Sequence, residues 1–163
     1  MVVVIISVLM GTVVLSFFGS DREQRLKTAA QRMTTAIELA RQESLARNET
    51  WGIYVDVDSY SFAIYDEAKE TWDETERRPF SRYNVEAGIT LTVDGPSVPA
   101  AGSGLVDLSS SASLRRAPHV VIYASGEQTP FEAHWIPDWG VAGWTVFSDG
   151  IGRTRMVAIG DRG

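Results

Sequence analysis

The sequence predicts an α+β fold: one long N-terminal helix followed by an antiparallel β-sheet or β-sandwich domain. Three observations point there. Met1 to Ser20 contains no charged residue. From Asp21 to Asn48 the chain is charged, yet Leu26, Ala30, Met33, Ile37 and Ala40 recur at alternating spacings of four and three, which puts them on one helix face. After Asn48 the apolar period changes to two, the period of a half-buried strand.

The leading segment reads Val2-Val3-Val4-Ile5-Ile6, then Val8-Leu9-Met10, and after Gly11-Thr12 continues through Val13-Val14-Leu15 to Phe17-Phe18. As a helix, Met1 to Phe18 rises roughly 27 Å, close to the hydrocarbon thickness of a bilayer. β-branched residues favour strands in water, but a lone strand in lipid leaves its backbone unpaired, so a helix is the available conformation. A cleaved signal peptide calls for basic residues first and a small-residue cleavage site after, and neither is present. A buried core helix of a soluble protein remains as an alternative, although a run with no polar face is unusual there. The membrane-spanning reading fits best. It divides the chain into a transmembrane half-helix over 1–20, an amphipathic half over 21–48 and a β-rich domain over 49–163. Asn48 suits the left-handed residue that stops a helix, and Gly19-Ser20 is the place for a break if the helix is not continuous.

Such a segment exposes on the order of 1,000 Å² of apolar surface, which disfavours isolation in water by tens of kcal/mol. It can leave lipid only if neighbouring helices replace the lipid. Val4, Val8, Gly11 and Val14 form the candidate helix-assembly face. Gly11, Thr12 and Ser16 either permit close approach between helices or merely dilute the hydrophobicity. A charge at Val8 is expected to block assembly, and a fragment over 51–163 is expected to keep its secondary structure.

In the remainder, Trp51, Ile53, Val55 and Val57 alternate with Gly52, Tyr54 and Asp56, and Tyr60, Phe62 and Ile64 with Ser61, Ala63 and Tyr65. Asp58-Ser59 is the expected turn of that hairpin. Ile89 to Val93, His119 to Tyr123, Phe131 to Ile136, Trp144 to Ser148 and Arg155 to Ile159 are further strand candidates. Asp94-Gly95-Pro96, Ser125-Gly126, Pro137-Asp138 and Asp149-Gly150 punctuate them. The sheet is expected to pack on the helix face or on a second sheet. A Ser-, Ala- and Gly-rich stretch over about 96–116 reads as a long loop, with Leu105, Val106 and Leu108 as a candidate edge strand. Asp66 to Glu76 reads as an acidic loop.

Composition removes several functions. Fifteen Lys and Arg against 21 Asp and Glu give a net charge of −6, which repels phosphate backbones on average. The chain has no cysteine, so disulfides, thiolate metal sites and cysteine nucleophiles are excluded. His119 and His134 lie in different strands with no acidic residue at ligand spacing, and read as hydrogen-bonded strand residues. Asp56-Val57-Asp58-Ser59 lacks the glycine and distal glutamate of a calcium loop. Gly102-Ser103-Gly104 is not a nucleophile elbow, and Gly150-Ile151-Gly152 lacks the third glycine of a dinucleotide fingerprint. No catalytic, metal or cofactor site emerges. The acidic run Asp66, Glu67, Glu70, Asp73, Glu74 and Glu76 is a solvated loop or a dock for a basic surface. Trp135, Trp144, Phe131 and Phe147 read as core aromatics, whereas Trp139, in the turn Pro137-Asp138-Trp139-Gly140, is the candidate for contact with a partner subunit.

Taken together, these residues resemble the H-type minor pseudopilins of the general secretion pathway, within the type IV pilin-like superfamily. The resemblance runs from Met1-Val2-Val3-Val4-Ile5-Ile6-Ser7-Val8-Leu9 through Glu43-Ser44-Leu45-Ala46-Arg47-Asn48, Trp51-Gly52-Ile53-Tyr54 and Tyr60-Ser61-Phe62. Ser125-Gly126-Glu127-Gln128-Thr129-Pro130-Phe131 and Ser148-Asp149-Gly150-Ile151-Gly152-Arg153 resemble that group's turn-and-strand and closing Asp-Gly segments. The resemblance implies a non-catalytic subunit near the tip of a type II secretion pseudopilus, anchored in the inner membrane with its head in the periplasm. Its implied partners are other minor and major pseudopilins, and prepilin peptidase acting on the full-length precursor. The family's opening Phe-Thr-Leu-Ile-Glu-Leu, with the early glutamate used in fibre assembly, is missing. Met1 is therefore expected to be an internal methionine, with a Gly-Phe-Thr-Leu-Ile-Glu-like stretch encoded just upstream. Certain related minor pilins bind DNA through basic residues near the C-terminus. Arg153, Arg155 and Arg162, with Arg115-Arg116, make that the alternative function.

Overall fold

Residues 21–48 have nowhere to place their apolar stripe except against the strands that follow, and the fold is organised around that fact. In this computed structural model, residues 2–95 and 117–160 are described, with side chains described from Asp21 onward. A single helix α1 spans Val2–Arg47, 46 residues running without interruption through Gly19-Ser20. At 1.5 Å per residue it is about 69 Å long. Asn48 stops it with φ of 56°, as its side chain allows.

Among the described residues nine strands follow: β1 Trp51–Asp56, β2 Ser59–Asp66, β3 Thr71–Glu74, β4 Tyr83–Asn84, β5 Ile89–Asp94, β6 Val120–Ile122, β7 Phe131–Pro137, β8 Trp144–Ser148 and β9 Arg155–Ala158. One antiparallel sheet has the order β3-β2-β1-β6, with β4 also paired to β2, and the second has the order β5-β7-β8-β9. The β1–β2 hairpin turns at Val57-Asp58, one residue earlier than expected, and Ser59 already pairs with Asp56. The sheets are joined where the Leu91 amide donates to the Val57 carbonyl at 2.9 Å. Tyr60 of the first sheet meets Trp135 of the second edge-on at 6.2 Å.

Both sheets and the helix share one core. Leu26, Ala30, Met33, Ile37 and Ala40 are all fully buried, alongside Trp51, Ile53 and Phe62 of the first sheet and Trp135 and Val146 of the second. The sheet therefore packs on the helix and on a second sheet at once. Without α1 the inner faces of both sheets would lose the helix side chains that cover them, which argues against the expectation that 51–163 stands alone.

The acidic excursion is also corrected. The Asp66 carboxylate accepts from the amides of Ala68 and Lys69 and turns the chain back, so Thr71–Glu74 returns as β3 beside β2. Its one apolar anchor is Trp72, packed on Tyr65 at 5.1 Å. A strand with a single aromatic and acidic neighbours carries no period-two signal. The candidate edge strand at Leu105, Val106 and Leu108, and the loop over 96–116, lie outside the described residues.

Candidate functional site

Two regions of α1 are available for function: the leading segment, and the half that carries the head. In the first, Val4, Val8, Gly11 and Val14 fall on one face of a continuous helical backbone, and their side chains lie outside the described residues. Among the described residues, no helix is long and apolar enough to cross a membrane.

The second region is held by polar contacts along its length. The Arg22 guanidinium lies 5.8 Å from the centre of the Trp139 ring, the Lys27 ammonium 5.5 Å from Trp144, and the Arg32 guanidinium 4.6 Å from Tyr83. Each is within the range of cation–π attraction. Arg25 pairs with Glu86 at 3.6 Å and with Asp21 at 3.1 Å. Trp139 is half-buried and packs against the core. Part of its ring is thus available at the end of the head nearest the leading segment.

At the other end of the stripe the contacts become directional. Arg41 donates from Nε to the Gly126 carbonyl at 2.7 Å, and from its two terminal nitrogens to the carbonyls of Gly152 and Ile151, each at 3.1 Å. The Thr154 amide donates to Glu38 at 2.7 Å, and the buried Ser44 hydroxyl, 2.8 Å from the Arg41 carbonyl of its own helix, also lies 3.2 Å from the Tyr123 carbonyl. The turns that receive the Arg41 bonds are the two C-terminal segments singled out by the sequence, and they are tied to each other. The Gln128 amide donates to the Gly150 carbonyl at 2.9 Å, and the Gln128 side chain donates to the hydroxyls of Ser148 and Thr154. Gly150 sits at φ of 96°, and a Cβ there would lie 2.7 Å from the Gln128 carbonyl. Asp149 accepts from the amides of Ile151 and Gly152. Those bonds stabilise its anion and hold its carboxyl below the ordinary carboxylate value.

Sequence reasoning missed Glu38, Arg41 and Ser44 as a set. Their signal was their three-residue spacing along the edge of the buried face, with Ser44 continuing that face one turn past Ala40.

The candidate chemistry resolves into structural contacts. His119 accepts at Nδ1 from the Val55 amide at 3.0 Å. His134 Nδ1 bonds the Thr145 hydroxyl at 3.0 Å, and its Nε2 lies 3.3 Å from Asp94 and 3.9 Å from Glu132. Glu132, two residues back on the same face of β7, was readable from the strand period, whereas Asp94 comes from a neighbouring strand and required the fold. In the acidic run, Lys69 bridges Asp66 and Asp73, and Arg82 pairs with Glu74 and Asp56. Among the described residues, no group of three acidic, His or Cys side chains could hold a metal ion. Arg153 and Arg155 are exposed, and Arg155 faces Asp149 closely enough to act on its titration. Arg115, Arg116, Arg162 and Gly102-Ser103-Gly104 lie outside the described residues.

Comparison with known proteins decides the family. The model of "Type II transport protein GspH" matches residues 29–136, a span that starts in the buried helix stripe and ends in β7. The chain is also 33% identical over 130 residues to the type II secretion system protein H of Pseudomonas aeruginosa, covering 80% of this chain and 74% of that protein. The chain belongs to the GspH family. Belonging to GspH makes it a structural component of a secretion system and not an enzyme. Solved structures share the fold. The minor pseudopilin EpsH of Vibrio cholerae superposes with a TM-score of 0.64 at 20% identity, over 83% of this chain and 98% of that one. The solution structure of Escherichia coli GspH superposes with a TM-score of 0.57 at 20% identity, over 82% and 87%. The GspH helix followed by antiparallel sheets is therefore the pseudopilin arrangement. None of these relatives favours the DNA-binding alternative.

Proposed function

We propose that this chain is a minor pseudopilin at or near the tip of a type II secretion pseudopilus, where it helps to carry folded proteins across the outer membrane. The observation that carries this reading is its likeness to the P. aeruginosa secretion protein H across most of both chains. The physical organisation agrees with it. An uncharged leading segment needs lipid or like helices around it, and a head locked onto the same helix follows wherever that helix goes.

In this reading, 1–20 is the membrane half of α1, 21–48 its periplasmic half, and 49–163 the β-rich head. Val4, Val8, Gly11 and Val14 meet neighbouring helices. The exposed part of Trp139 meets a neighbouring head. The chain lies in the inner membrane as a single pass with its head in the periplasm. Its partners are other minor and major pseudopilins, and prepilin peptidase matures the full-length precursor. No cofactor is needed for this role.

The test is co-purification. Full-length tagged chain, expressed at native level and crosslinked in the membrane, is expected to capture the other minor pseudopilins encoded with it. Capture of none of them, with those subunits still joined to one another, would refute the assignment.

A further inference from the structure

The stripe that holds α1 to the head is largely smooth. Ala29, Ala30, Ala36 and Ala40 separate the larger Leu26, Met33 and Ile37. Apolar burial is non-directional. It resists separation of helix and sheets better than it resists sliding along the helix axis or rotation about it. Bonds to the head's backbone gather at the C-terminal end of the stripe. Glu38 and Arg41, three residues apart, both bond backbone groups of the head, and the Ser44 hydroxyl, three residues further on, lies 3.2 Å from the Tyr123 carbonyl.

Arg41 is the centre of this set. All three of its guanidinium nitrogens are used, each on a different carbonyl. Gly126 lies between β6 of the first sheet and β7 of the second, whereas Ile151 and Gly152 lie between β8 and β9 of the second. One side chain on the helix thus reaches turns serving both sheets, and the Gln128–Gly150 bond ties those turns together. Hydrogen bonds with a charged donor are stronger than neutral ones, and a planar fork fixes direction in a way that an ammonium on a flexible stem cannot. Glu38 stays within 4.0 Å of Arg41 while accepting from Thr154, so charge and geometry support each other.

We propose that Arg41 is the positioning residue that sets the axial register of α1 against the β head, so that displacement along the helix passes into the head without slip. Its purpose rests on the reading of the chain as a subunit of a moving fibre; the mechanical claim does not. Helix and head then travel as one body, and the two C-terminal turns are the points where the helix grips.

The chain has no cysteine, so introduced cysteines provide unique handles on the full chain in detergent. Asp21→Cys with Glu67→Cys applies load between helix and head. Glu67→Cys with Thr92→Cys applies it across the head alone. In single-molecule pulling, Arg41→Gln is expected to lower the helix-to-head rupture force about twofold, the three charge-assisted bonds being lost, with the across-head force unchanged. Arg41→Lys is expected to fall between wild type and Arg41→Gln. Val146→Ala, at a fully buried position in β8, serves as the stability control and is expected to lower both forces. If Arg41→Gln lowers both forces in the same ratio as Val146→Ala does, or leaves the helix-to-head force unchanged, Arg41 does not set the register. The measurement involves no other secretion component, so it can fail in a chain that still supports secretion, and hold in one that does not.

Discussion

Ile37→Ala probes whether α1 belongs to the core of the head. Ile37 is fully buried in a cluster that also contains Met33, Trp51, Phe62 and Trp135. Truncation to Ala removes three carbons from between the two sheets. The lost transfer free energy and the residual cavity together destabilise by about 2–4 kcal/mol. Each kcal/mol lowers the melting temperature of a domain of this size by about 3–4 °C, so a drop of about 6–16 °C is expected. Gln31→Ala on the exposed face of the same helix is the control, expected within about ±0.5 kcal/mol. The assay is thermal unfolding followed by tryptophan fluorescence, with both variants in one detergent. If Ile37→Ala and Gln31→Ala melt within 2 °C of each other, roughly half a kcal/mol apart, the helix stripe is not part of the head's core and the packing argument fails.

Four further outcomes follow from the same structure. A fragment over 21–163 is expected to give dispersed amide NMR spectra, whereas one over 51–163 is expected to aggregate or remain molten; two equally dispersed spectra would contradict the shared core. Gly150→Ala, forced to hold φ of 96° with its Cβ against the Gln128 carbonyl, is expected to lose on the order of 2–3 kcal/mol of stability, read as a lower midpoint in urea. Asp149 has its carboxyl held below the ordinary 3.8 by the amides of Gly152 and Ile151. Its contribution is therefore present above the unfolded-state value and is lost as pH falls through the lower folded one. A carbon-detected titration should place its midpoint below that of an exposed aspartate, and a midpoint at or above the ordinary value would refute the capping role. Val8→Lys, which puts a charge in the uncharged segment, is expected to leave the head's melting temperature unchanged while abolishing crosslinks to other pseudopilins.

Much of this fold was legible because its signals are periodic. The stripe from Leu26 to Ala40 is set by one buried face, and burial confirmed it; the alternation from Trp51 to Ile64 located β1 and β2 but not their buried faces, since Val57 is exposed in the turn and Gly52, Ser61 and Ala63 are buried as well. What stayed hidden lacked a periodic signal. β3 is held by a backbone ladder, by Trp72 against Tyr65 and by Glu74 bonds to Ser61 and Arg82, and β4 pairs over only two residues. The turn Val57-Asp58 was displaced by one residue because Ser59 serves a strand as readily as a turn. For the site, Ser125–Phe131 and Ser148–Arg153 stood out in the sequence as segments. Their receipt of Arg41, across separations of 85 and 111 residues, required the fold. The same holds for Asp94 beside His134, which adjacent strands bring together.

In the proposed role the helix assembles with like helices and the head moves with it. The most direct measurement is secretion in an in-frame deletion of this chain's gene, with the type II cargo assayed in the medium and in the periplasm. Loss of the chain is expected to leave folded cargo in the periplasm, with export restored by the wild-type gene and not by Val8→Lys. Undiminished export in the deletion strain, with the chain itself recovered as a dissolved monomer in the absence of detergent, would contradict it.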